Sequence, residues 1–88
     1  MTILEAKVKQ ENVVILKREY EEAINKLPAD IVETFLVSNN TDDSIYRIIT
    51  VWSSRAALDK MRASGIKPTG VQIFEKAGAT PTLSILMN

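Results

Sequence analysis

Apolar residues recur along the chain with two different periods, and their order predicts an α+β fold with an antiparallel sheet. Three observations carry this reading. Residues 2–9 and 71–76 alternate apolar and polar, as half-buried strands do. From Val13 the apolar residues recur every three or four positions, as on one helix face. Two apolar runs, 31–38 and 44–52, flank the turn-forming stretch Asn39-Asn40-Thr41-Asp42-Asp43, which reads as an antiparallel hairpin. The chain has 88 residues, which make a single domain, 1–88.

In the first strand Leu4, Ala6 and Val8 share one side and Ile3, Glu5, Lys7 and Lys9 the other. Gln10-Glu11-Asn12 breaks it. Val13, Leu16, Tyr20, Ala23, Ile24 and Leu27 then line one helix face, with Asn12 as the expected N-cap and Pro28 as the stop. Val13-Val14-Ile15-Leu16 also fits a second strand that leaves a shorter helix from Arg18, and the pattern leaves both readings open. Ser53 or Ser54 caps a helix whose apolar stripe is Ala57, Leu58 and Met61, and Gly65 stands where a C-cap glycine belongs. Residues 71–76 read as a further strand, 77–81 as a flexible break, and 82–87 as a short extra C-terminal strand. The order β-α-β-β-α-β plus that strand is the split βαβ, or ferredoxin-like, arrangement, with two helices on one sheet face.

Composition narrows the function. There is no cysteine and no histidine, so disulfides, thiolate metal sites and the commonest metal ligand are absent, and no metal site is expected. Eleven basic and eleven acidic residues balance and are interleaved, as in residues 17–22, so nucleic acid is not an expected partner. No apolar run approaches the ~18–20 residues that span a bilayer. Residues 1–7 lack the features of a signal peptide, and the expected compartment is the cytoplasm. So short a chain buries a limited core. The second and third strands are nonetheless apolar on both faces, and helices cover only one. A homodimer is therefore expected, with the C-terminal strand crossing to the partner's sheet edge.

The stretch Trp52-Ser53-Ser54-Arg55-Ala56-Ala57-Leu58, with Met61 and Ser64 beyond it, resembles the antibiotic biosynthesis monooxygenase-like superfamily of dimeric α+β barrels. Members commonly place a Trp at the end of an apolar strand, then Ser, Ala and an aromatic or Leu at a helix start, a His, and a further Ser. Here Met61 stands where relatives often have His, and Ile48 stands where cofactor-free oxygenases of the family tend to have Asn. The resemblance implies a small dimeric protein that binds or oxidises a small flat aromatic compound without a cofactor. The alternative is a non-catalytic dimeric binding or structural module. Haem lacks a His or Cys ligand.

The candidate pocket residues are Trp52, Tyr46, Arg47 and Phe74, with Tyr20 as a further aromatic. Tyr46 falls on the strand face of Ile48, Thr50 and Trp52, which places two aromatics on one wall, with Phe74 to close it. Arg47 lies mid-strand and needs a partner if buried, either Glu33 or Glu75, or an anionic ligand. Trp52 also serves as plain core, Met61 as core filler, and one of the serines as a helix cap. No nucleophile with a nearby base and no glycine-rich phosphate loop is present, so the catalytic residues stay open.

Overall fold

A computed structural model describes residues 1–39 and 41–86. The first strand, β1 (Thr2–Lys7), keeps the alternation of its sequence, with Thr2, Leu4 and Ala6 buried and Ile3 and Glu5 half-buried. A 3₁₀ turn at Gln10–Asn12 leads into the helix α1 (Val13–Ile24), so residues 13–16 are helical and the strand alternative falls. Asn12 makes no side-chain cap, contrary to expectation, because the 3₁₀ turn already starts the helix through its backbone. α1 ends near Asn25, about one turn before Pro28.

β2 (Ile31–Ser38) and β3 (Ile45–Trp52) form the expected hairpin. In its turn the Asp42 carboxylate accepts hydrogen bonds from the Ser44 backbone N–H, at 3.0 Å, and from the Ser44 hydroxyl. Asn40, assigned to this turn from the sequence, lies outside the described residues. Ser54 caps α2 (Arg55–Ala63) by accepting from the Ala57 N–H at 3.0 Å. Gly65, with φ of 74°, takes the left-handed conformation that ends this helix.

Two sequence readings are corrected in the last third of the chain. Residues 71–76 are not a strand but belong to a helix, α3 (Thr69–Lys76). Ile73, Phe74 and Ala77 are buried together, a spacing of one and three that suits a helix face. Val71, Gln72 and Ile73 alternate as a strand does, while the adjacent apolar pair Ile73 and Phe74 belongs to the helical period. The C-terminal strand β4 (Thr82–Ile85) then takes the fourth place in the sheet. It pairs antiparallel with β1 of its own chain instead of crossing to a partner. The Leu86 N–H donates to the Met1 carbonyl oxygen at 2.9 Å, extending that pairing. Met87, read as part of the same strand, lies outside the described residues.

The sheet order is β2-β3-β1-β4, all antiparallel. This is the ferredoxin-like α+β fold, with α3 as a third helix. Leu4, Ala6, Val8 and Ile48 meet Leu16, Ile73 and Phe74 in the core, where Phe74 and Leu16 have no exposed surface. The opposite pleat phase carries Ile3, Phe35, Val37, Ile45, Ile49 and Val51. Among the described residues no helix covers them, and Phe35 and Val37 stay exposed.

Candidate functional site

The covered face of the sheet has two halves. At the end near Ala6 and Val8, Leu16, Phe74 and Ala77 fill the space above the strands. At the other end, above Thr2, Thr50 and Trp52, the helices leave a cavity of about 350 Å³. That size lies near the lower end for small-molecule sites. Tyr20 and Ile24 of α1 wall one side, Leu58 and Met61 of α2 another, and Ile66 and Gly70 the third. Gly70 brings the chain close to the sheet. A Cβ there would stand 2.6 Å from Leu4 Cδ1, so a larger residue at the start of α3 would have to displace the end of the Leu4 side chain.

Trp52 closes β3 at the cavity and is half-buried. Its indole N–H donates to the Thr2 hydroxyl oxygen at 3.1 Å, across the β1–β3 pair. The bond gives the ring's one polar atom a partner, as a half-buried Trp needs. The stretch that opens α2 therefore contributes a wall of the cavity. Trp52, Leu58, Met61 and Ser64 all line it, while Ala57 is buried in the core and Ser54 serves as the cap.

The other three sequence candidates stand outside this cavity. Tyr46 shares the pleat phase of Trp52 but lies six residues away, about 20 Å along an extended strand, and packs against the filled half of the core. Phe74 is the plug of that same half. Arg47 is on the uncovered face, where it pairs with Glu5, directly opposite it on β1. Neither expected partner is within reach of it. Glu33 stands opposite Val51, and Glu75 is on α3, where its carboxylate holds the Lys67 ammonium at 3.0 Å. The pairing follows from β1 lying at the centre of the sheet beside β3, which the linear order of strands does not reveal.

Sequence reasoning missed three residues of the cavity floor, Thr2, Thr34 and Thr50. Thr50 alone carried a signal, its place on the strand face of Trp52; Thr2 and Thr34 join it through the strand register, which the linear order does not show. Charged side chains at the margin are Asp30, Lys60 and Lys67. Among the described residues no cluster of three Asp or Glu side chains is placed to hold a metal ion.

No protein-family model matches the chain, and no curated protein sequence does either. Solved structures do share its fold. SnoaB from Streptomyces nogalater, described as a cofactor-independent oxygenase, superposes with a TM-score of 0.63 at 16% identity, over 99% of this chain and 89% of its own. A structure described as an antibiotic biosynthesis monooxygenase gives a TM-score of 0.60 at 19% identity, over 99% of this chain and 98% of that one. A conserved protein of unknown function from Bacteroides thetaiotaomicron gives 0.62 at 12% identity, over 94% and 89%. The chain thus has the fold of the antibiotic biosynthesis monooxygenase structures, as the Trp52 stretch implied. No helix among the described residues is long and apolar enough to cross a membrane.

Proposed function

We propose that this chain binds a small, flat, mainly apolar molecule with oxygen substituents in the cavity beside Trp52. The observation that carries the reading is the cavity itself, about 350 Å³ with an aromatic wall at Trp52 and a mainly apolar lining. A filled core around Trp52 would have favoured a purely structural module. Aromatic ligands stack on or edge against such a ring at little entropic cost, because the indole is rigid.

A second reading concerns chemistry. The fold shared with SnoaB favours cofactor-free oxidation of a bound quinol or polyphenol, in which the deprotonated ring itself gives electrons to dioxygen. No histidine is available as a base, so such a reaction relies on a substrate that ionises readily. A non-catalytic binding module uses the same cavity without that step.

The proposed unit is a cytoplasmic homodimer. The uncovered face presents Phe35, Val37, Ile49 and Val51 as one apolar surface, and apolar patches of this kind are uncommon on monomers. A second copy laid face to face removes both patches from water, at roughly 25 cal/mol per Å².

Trp52 is the only tryptophan, so its fluorescence reports this site alone. Titration with a set of quinols and polyphenols is expected to quench or shift its emission in a saturable way. Unchanged emission with every compound overturns the binding reading. Oxygen uptake in the same mixtures separates oxidation from simple binding.

A further inference from the structure

Three threonines form a row across the cavity floor. Thr34 on β2 stands opposite Thr50 on β3, and Thr50 stands opposite Thr2 on β1. All three line the cavity. Their roles differ. Thr2 is buried, and its oxygen already accepts the Trp52 indole N–H, which leaves its proton free to donate. The hydroxyls of Thr34 and Thr50 make no hydrogen bond with any described residue, and no buried side-chain polar atom among those residues lacks a partner. They are therefore neither satisfied within the fold nor sealed away. They are half-buried groups facing a space whose remaining walls are mostly apolar.

We infer that this row reads the oxygen pattern of the ligand, and that it selects an aromatic ring with two oxygen substituents in meta relation. The assignment rests on the proposed occupancy of the cavity and adds its substrate class. Residues directly opposite on neighbouring antiparallel strands have Cβ atoms about 4.5–5.5 Å apart. Two parallel hydrogen bonds from such a pair meet ligand oxygens at a similar separation. Meta oxygens on a six-membered ring have a spacing close to the middle of that range. Ortho oxygens are much closer together, and para oxygens lie at or beyond its upper edge and on opposite sides of the ring. A hydroxyl both donates and accepts, so Thr34 and Thr50 serve phenol and carbonyl oxygens alike. The apolar walls take the rest of the ring system, and an unpaired oxygen forced against them is penalised.

The test uses naphthalene and its 1,3-, 2,3- and 1,4-dihydroxy derivatives, titrated under nitrogen so that no isomer is oxidised. Binding is followed by the single indole N–H resonance of ¹⁵N-labelled protein. The 1,3 isomer is expected to bind about five- to tenfold tighter than the other two, as one or two net hydrogen bonds produce. Thr50→Val keeps the side-chain volume and the strand preference. It is expected to erase this preference while naphthalene binds as before. Thr34→Val is expected to do the same and serves if the first variant does not fold. Equal affinity for the three isomers, with naphthalene bound, overturns the threonine assignment and leaves the cavity reading standing. A preference that survives both substitutions overturns it too. No shift of the indole resonance with any compound overturns both.

Discussion

The two faces of the sheet are built from alternate residues of the same strands, yet they meet different surroundings. On the covered face Leu4, Ala6 and Ile48 are sealed by Leu16, Ile73 and Phe74, and the far end opens into a cavity floored by Thr2, Thr34 and Thr50. On the uncovered face Ile3, Ile49 and Val51 surround one ion pair, Glu5 with Arg47, each side chain over a third exposed. The cavity face thus places neutral hydroxyls beside an apolar space, which cost less to desolvate than full charges do. The uncovered face places full charges among apolar side chains, which is inexpensive only while water reaches them. Apolar residues alone do not tell a ligand site from an association surface. Their polar neighbours do.

Four measurements would break or sharpen that contrast. The largest effect belongs to the filled half of the covered face. Phe74→Ala removes a side chain with no exposed surface and should cost about 3–5 kcal/mol, enough to unfold much of a small domain. The urea midpoint checks it. A loss below about 1 kcal/mol would mean that the two halves of this face are not packed differently.

Glu5→Gln tests the uncovered face. In a monomer the Glu5–Arg47 pair is partly exposed and worth under about 1 kcal/mol. In the proposed dimer the same change strands a buried guanidinium, at about 3 kcal/mol or more. Dissociation measured by light scattering on dilution should therefore be about a hundredfold easier, with the urea midpoint of the monomer hardly moved. A monomeric mass for the unmodified chain at micromolar concentration removes the dimer altogether.

Trp52→Phe is the intermediate case. It keeps a flat ring at the cavity but deletes the hydrogen bond to Thr2, and the expected loss is about 1 kcal/mol. The amide spectrum should remain that of the same fold. A loss of several kcal/mol would place Trp52 with Phe74 as a plug and would argue against a cavity beside it.

The smallest effect lies away from both faces, in the β2–β3 turn. The hydrogen bonds from the Ser44 hydroxyl and N–H hold the Asp42 carboxyl below its ordinary value of 3.8. A depressed carboxyl stabilises the fold above its unfolded pKa and loses that contribution as pH falls through the folded one. Stability should therefore decline slightly below about pH 4, and less so in Asp42→Asn. An identical acid profile for the variant would show that this turn adds nothing to the hairpin.

Much of the fold was legible because local chemistry decides it. The alternation in β1, the helical spacing from Val13, the turn residues around Asp42, the Ser54 cap and Gly65 each act through neighbours within a few positions, so they survive in the linear order. Residues 71–76 failed that test. Their alternation was too short to separate two periods, and what makes them helical is the burial of Ile73, Phe74 and Ala77 against distant side chains. The same limit governs the candidate site. Trp52 was found because it closes a strand beside a capped helix. Tyr46 and Arg47 were grouped with it from one strand alone, before β1 and the helices divided that strand's surroundings. The partner of Arg47, the place of β4 at the β1 edge and the union of Thr2, Thr34 and Thr50 all depend on which strands are neighbours. The β1–β4 register joins Thr2 with Ile85, and Met1 and Leu86, 85 positions apart, exchange two hydrogen bonds. Contacts at such separations are set when the whole core closes, because only then does each strand find the neighbour that buries its apolar face.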